Sequence, residues 1–262
     1  MVCGQALVIV IVYLSGGRRK AMPETAPSSD EIRGRLAEVR RRIEERARGA
    51  GRDPSDVKLV AVSKTHPPEI LRRAIAAGAN DLGENRVQEA DAKIVELGRD
   101  ATRWHLIGHL QANKARRAVM LFDVIHSLDS VALARRLDRL CAEVGRDELD
   151  VLIQVDLGDE ATKAGVSVEE LLELVATVGE CEHLRLRGLM TLPPFFEDAE
   201  LVRPYFRRLR ELRDDLRSRL DFGASGGELS MGMSHDYKVA IEEGATMVRI
   251  GTAIFGERRR VE

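Results

Sequence analysis

The apolar positions of the chain change period in a repeating order. Short β-prone runs alternate with stretches in which apolar residues recur every three or four positions. The runs predict strands over 57–64, 81–84, 103–108, 124–127, 150–156, 185–191, 228–233 and 247–250. A leading helix is predicted over 30–49, with Ile32, Leu36, Val39 and Ile43 on one face. Each of the first seven strands is followed by a helical pattern, for example at 69–77, 87–97, 131–144, 168–178, 201–220 and 237–243. Glycines such as Gly145 stand near the helix ends, where a left-handed cap costs little.

Eight strands alternating with helices place the chain in the α/β class as a (β/α)8 barrel, a TIM barrel, in one domain over 30–262. The competing open doubly wound sheet would carry a glycine fingerprint after its first strand. That strand runs instead into Ser63-Lys64-Thr65-His66-Pro67-Pro68, and no P-loop occurs. Residues 1–29 stand apart. Ala6 to Leu14 is an apolar run of nine, short of the roughly 20 residues a membrane span needs. No positive charge precedes it and no cleavage site clearly follows. These residues read as an extension from a misassigned start, with no export role and no ordered structure.

Composition narrows the function classes. With 44% hydrophobic and 32% charged residues and a net charge of −2, the chain reads as a soluble globular protein with no basic excess for nucleic acid. Arginine runs such as Arg40-Arg41-Arg42 alternate with acids, as on solvated helix faces. Cys3, Cys141 and Cys181 lie far apart with no C-x-x-C spacing. That excludes a zinc knuckle or a disulfide framework and fits the cytoplasm. No metal site is expected.

Barrel enzymes carry chemistry at the C-terminal ends of their strands, and phosphate often sits after strands seven and eight. By this reading strand one ends in Lys64, where an ammonium is costly to desolvate. After strand seven, Ser234 offers a hydroxyl just before a helical pattern. After strand eight, Gly251-Thr252 adds close backbone approach and a second hydroxyl. Alternation puts Met247, Arg249 and Gly251 on one face, so Arg249 points into the barrel, beside strand one. A guanidinium near Lys64 favours a neutral amine, the nucleophile for a Schiff base. Lysine, phosphate cup and inward arginine are the parts of a pyridoxal 5'-phosphate site. They also suit a barrel enzyme that holds a sugar phosphate through Lys64. Alternatively, Arg249 pairs with Glu84 or Asp156 across the mouth.

The stretches "VAVSKTHP", "LGENRVQEA", "WHLIGHLQANK", "HSLDS", "DEATKAG", "GLMTLPP" and "LSMGMSHDYKVAIEEGATMVRIGTAIFG" resemble the pyridoxal phosphate homeostasis proteins, single-domain relatives of the alanine racemase barrel. The resemblance runs from about Ile32 to Gly256. It implies that Lys64 carries the cofactor as an internal aldimine, and that Ser234, Gly251 and Thr252 hold its phosphate. Arg249 would face the pyridine nitrogen and Asn85 would lie beside the cofactor. Lys163 matches a family lysine with a secondary contact or transfer role. Arg86 stands where the family often has an aromatic, and Asp156 where asparagine is common. The implied activity is cofactor homeostasis and delivery to PLP-dependent apoenzymes, by a monomer or weak dimer, with no nucleic-acid or membrane partner.

The alternative is a racemase-like or dehydratase-like enzyme. Two-sided proton chemistry needs a second base opposite the lysine. In racemases this is a tyrosine from an added β-domain, which does not follow the eighth strand here. Of Tyr13, Tyr205 and Tyr237, only Tyr237 falls near the site in sequence. An arginine at the ring nitrogen also keeps that nitrogen unprotonated and weakens the ring as an electron sink. Binding without turnover is therefore expected.

Overall fold

Helix α1 (Ser29–Gly49) starts at a reciprocal cap. The Ser28 hydroxyl accepts from the Glu31 N–H, and the Glu31 carboxylate accepts from the Ser28 N–H at 2.7 Å. Its buried stripe, Ile32, Leu36, Val39, Ile43 and Ala47, lies against α2 (Pro68–Ala76), α8 (Tyr237–Glu242) and α9 (Thr252–Phe255). Each such aliphatic side chain contributes roughly 1.5–3 kcal/mol when buried. The opposite face carries the arginine run, with Arg41 and Arg42 both paired to Glu38 at 2.8 and 2.6 Å. The computed structural model describes residues 26–158, 164–218, 222 and 226–256. The expectation for the N-terminal extension therefore falls almost wholly outside the described residues, and the one for Lys163 entirely so. No helix among the described residues is long and apolar enough to cross a membrane. No cluster of metal-ligating side chains occurs among them either.

The strands are β1 (Lys58–Val62), β2 (Asp81–Glu84), β3 (Arg103–Leu106), β4 (Val124–Leu128), β5 (Leu149–Gln154), β6 (Leu184–Met190), β7 (Glu228–Met233) and β8 (Met247–Ile250). They pair in sequence order, and β8 closes on β1 with Val60 opposite Arg249. The remaining helices are α3 (Val87–Leu97), α4 (Ala115–Leu121), α5 (Val131–Val144), α6 (Val168–Glu180) and α7 (Arg203–Arg217). This is the (β/α)8 barrel with a leading helix that the hydrophobic pattern predicts.

The period-2 alternation of the strands sorts residues into two environments. Outward side chains such as Ala61, Leu82, Trp104, Ile125, Ile153, Leu229 and Val248 form the main core with the helices. The interior mixes polar groups with apolar ones, the small cluster of Val124, Leu152 and Met190 and, on the same inward face as Arg249, Val60 and Met247. Its N-terminal end is crossed by ion pairs, Lys58 with Glu228 and Arg103 and Arg187 with Asp150, each at 2.6 Å. Barrel interiors are usually filled by layers of branched aliphatics. Here part of that volume is given to hydrogen-bonding groups.

Several boundaries differ from the sequence expectation by a few residues, and the end of β1 is the one that bears on the site. β1 ends at Val62, and Lys64 lies in the turn that follows. The Ser63 N–H still bonds the Gly83 carbonyl at 2.9 Å, but Thr65 then adopts φ +69°, which no strand can contain. The lysine therefore escapes the cost of a fully buried strand position, and its side chain is only partly buried.

Gly232 marks where β7 bends toward α8. It has φ +91°, and a Cβ there would stand 2.6 Å from Ala240 Cβ and 2.9 Å from Tyr237 Cα. Gly232→Ala is expected to cost about 2 kcal/mol or more through strain and overpacking. A urea unfolding curve with a correspondingly lower midpoint and an unchanged slope checks this.

Candidate functional site

At the C-terminal mouth of the barrel lies a cavity of about 410 Å³. Its wall contains Lys64 from the turn after β1, Asn85 after β2 and Ser234 after β7. Arg249 from β8 and Gly251 and Thr252 at the start of α9 complete the set read from sequence. Val62, Ile107, Leu192 and Met233 supply apolar wall, and His66 and His109 add two imidazoles. None of the described residues lining the cavity is acidic, whereas Lys64 and Arg249 are basic. The wall therefore favours an anionic guest. Of the residues that depart from the family pattern, Asp156 accepts from the Gly158 N–H at 3.0 Å, away from this wall, and Arg86 is exposed.

Ser234 and Thr252 are exposed toward the mouth, each just after a strand. Gly251 is the N-cap of α9, and the first N–H groups of a helical turn have no partner within it. A Cβ on Gly251 would meet the Val62 carbonyl at 3.0 Å, so the backbone approaches β1 here as only glycine allows without displacement. His66 stacks on Phe255 with centroids 4.9 Å apart, which joins the Lys64 turn to α9.

Arg249 is 3% exposed, on the inward face of β8. It pairs with neither Glu84 nor Asp156, which corrects the alternative read from sequence. Glu84 emerges on the helix side of β2, where its carboxylate meets Lys93 Nζ at 2.6 Å. Arg249 Nη1 instead donates to Ser230 Oγ at 2.6 Å, and Nη2 to the Thr191 carbonyl at 2.9 Å. Burial pulls its pKa down to about 10, against a partial offset from Asp236. It remains a cation at neutral pH.

Behind Arg249 a chain of hydrogen bonds crosses the barrel. Ser230 Oγ meets His126 Nδ1 at 2.9 Å, His126 Nε2 meets His105 Nδ1 at 2.9 Å, and His105 Nε2 meets Asp81 Oδ1 at 2.8 Å. A guanidinium only donates and a carboxylate only accepts, so the ends suit one direction of donation. In that direction Ser230 accepts from Arg249 and donates to His126, which donates from Nε2 to His105, which donates from Nε2 to Asp81. Burial, with the nearby His105 and Arg249, holds His126 well below the usual histidine range. Burial acts to raise the Asp81 pKa, but the bond from His105 and the neighbouring positive charges together outweigh it, and the carboxyl stays below its ordinary value.

This chain and His109 were not singled out from sequence. His109 Nδ1 meets Asp129 Oδ2 at 3.1 Å at the cavity edge. The available signal was alternation, since Asp81, His105 and His126 all fall on inward positions of consecutive strands.

The buried neutral His126 has a pH consequence. Its unfolded-state pKa is near 6.5 and its folded value lies far lower. Its contribution to stability is complete above the unfolded value and is lost as pH falls below about 6.5. His126→Asn should reduce the dependence of unfolding free energy on pH between about 6 and 5 by up to ~1.4 kcal/mol per unit. Urea titrations of both proteins at three pH values check the slope.

The model of the alanine racemase N-terminal domain family matches residues 35–259. The pyridoxal phosphate homeostasis protein of Aquifex aeolicus (strain VF5) is 46% identical over 225 residues, 86% of this chain and 97% of its own length. That of Pseudomonas aeruginosa (strain PAO1) is 46% identical over 223 residues, 85% of this chain and 94% of its own. The structure of PipY from Synechococcus elongatus PCC7942 with PLP bound superposes with a TM-score of 0.73 at 41% identity, covering 86% of this chain and 100% of that one. Sequence motifs, barrel and relatives agree, and the chain belongs to the pyridoxal phosphate homeostasis protein family, on the alanine racemase N-terminal fold.

Proposed function

We infer that this protein binds pyridoxal 5'-phosphate at the barrel mouth and acts in cofactor homeostasis, holding and delivering the cofactor without turning over a substrate. The observation that carries this reading is the shared wall of the cavity: Lys64, Arg249, Ser234, Gly251 and Thr252 line one volume free of acidic side chains among its described residues. PipY, whose structure contains PLP, is 41% identical to this chain, which supports the same ligand here.

The residues present fit that group. It supplies an aldehyde for capture by an amine, a dianionic phosphate and a ring nitrogen that accepts a hydrogen bond. Lys64 is the amine that forms the Schiff base. Ser234, Thr252 and the backbone N–H groups at Gly251-Thr252 are donors for the phosphate. Arg249, fixed through Ser230 and Thr191, is the donor for the ring nitrogen. Its proton stays on the guanidinium at neutral pH, so it binds without protonating. Asn85 completes the wall. Delivery places the protein in the cytoplasm, with PLP-dependent apoenzymes as recipients.

A racemase-like turnover would need a second proton acceptor at the wall. Apart from Lys64, the described wall residues that suit this are His66 and His109. The His109–Asp129 contact is the feature that would favour turnover. In deuterium oxide with alanine of either hand, NMR should show α-proton exchange no faster than free PLP alone produces. Enzyme-level exchange that disappears in His109→Ala would replace homeostasis with catalysis.

The direct test is covalent. Wild type with PLP is expected to turn yellow and, after borohydride reduction, to carry a pyridoxyl adduct on the peptide containing Lys64. Lys64→Ala should lose both signals. A colourless wild type with no adduct would defeat the reading and return Lys64 to solvent or to a sugar-phosphate partner.

A further inference from the structure

Lys64 sits between two residues whose backbones are gripped from α3. Lys93, 5% exposed, donates from Nζ to the Ser63 carbonyl at 2.8 Å. The same ammonium meets Glu84 at 2.6 Å and Glu89 at 2.7 Å. Glu84 also accepts from the Ser63 hydroxyl at 2.6 Å, and Glu89 accepts from the Thr65 N–H. The residue before Lys64 is therefore bound by Lys93 and Glu84, and the residue after it by Glu89.

This grip has an evident task. Thr65 adopts φ +69°, the one non-glycine with positive φ among the described residues. A β-branched residue pays for this region in steric strain and holds it only when its surroundings impose it. The Glu89 acceptor on the Thr65 N–H is one imposing contact, beside the backbone bond from the His66 N–H to the Ser63 carbonyl at 3.2 Å that closes the turn. Glu84 shows that the arrangement is not ordinary packing. It is 0% exposed, and its Oε2 has no hydrogen-bond partner. Burial raises its carboxyl above the usual range even with an ammonium beside it. Burial acts the same way on Glu89, but its bonds from Lys93 and Thr65 outweigh it and leave that carboxyl below its ordinary value.

We propose that the Glu84–Lys93–Glu89 cluster is a positioning device that holds Thr65 in its left-handed conformation and thereby aims Lys64 at the cofactor aldehyde. The proposal rests on the function inferred above. In the step it serves, the neutral Lys64 amine adds to the aldehyde carbon, the carbonyl oxygen leaves as water, and a C=N bond forms. None of the three cluster residues lines the cavity. Its effect is therefore confined to covalent capture. A ligand with the same phosphate and ring but an alcohol for the aldehyde is blind to it.

The experiment uses Glu89→Ala, because Glu89 is the member nearest solvent and its loss leaves Lys93 paired with Glu84. PLP binding is followed by imine absorbance, and pyridoxine 5'-phosphate binding by calorimetry. Both are measured on wild type, Glu89→Ala, Thr65→Gly and the double variant, with urea midpoints for each. Glu89→Ala is expected to weaken PLP capture about tenfold while the alcohol binds within about twofold of wild type. Thr65→Gly, which reaches positive φ without strain, should restore capture in the double variant to within about threefold of wild type. Equal PLP capture by wild type and Glu89→Ala would overturn the positioning role and leave the binding function standing. Equal loss of both ligands would make the cluster a general support of the pocket, and would also overturn it. A selective loss that Thr65→Gly does not restore would overturn the strained turn as the mechanism. A wild type that binds neither ligand, or binds both with no imine, would remove the function it rests on, and the proposal with it.

Discussion

A guanidinium enclosed by a β-barrel has to be solvated by the barrel itself. Arg249 is all but excluded from water, and the hydrogen bonds it makes are to neutral acceptors, Ser230 and the Thr191 carbonyl. Isolated burial of such a charge would cost many kcal/mol. Here the cost is met by polarised hydrogen bonds running to Asp81, with the Asp236 charge nearby. This explains why the interior departs from the usual aliphatic layers. Histidines at 105 and 126 and a serine at 230 occupy inward positions that a barrel without a buried arginine would fill with valine or isoleucine.

The two ends of the barrel then divide the work. Ion pairs around Glu228 and Asp150 cross the N-terminal end, where partial exposure limits what each contributes. The C-terminal end is left open and, along its described wall, free of carboxylates. Between them, Arg249 belongs to both systems: it ends the polar chain from below and lines the cavity above. The Lys64 turn is held separately, by charges on α3 outside the barrel. Arg249 and the Lys64 turn are thus supported by separate networks on opposite sides of the strands.

Much of this was legible in the sequence because the strands obey a strict period. Strand order, the leading helix and the residues meeting at the mouth all follow from where alternation breaks at each strand end. Lys64, Ser234, Arg249, Gly251 and Thr252 were named on that basis and Asn85 from the family resemblance, and the fold brings all of them into one wall. The end of β1 was misjudged by two residues, because a positive φ at a threonine has no signature in composition. Partners of Arg249 were also missed. Choosing among inward polar groups on different strands requires the stagger of the sheet, and the register shift between Ser230 and Met233 is not written in the pattern. Lys93 and Glu89 stand four residues apart on α3, a spacing that by itself marks no more than an ordinary helix pair. Only packing shows that they face the turn rather than solvent.

The chain from Arg249 to Asp81 has one more property. Because one terminus can only donate a hydrogen bond and the other can only accept one, the five side chains can all donate in one direction. No member can be exchanged alone for a group of the opposite sense without stranding a donor against a donor in the dry interior. A histidine here is not replaceable by any polar residue of similar size, only by one that can donate and accept in the same direction. The five positions therefore act as one hydrogen-bonded unit rather than as five separate ones.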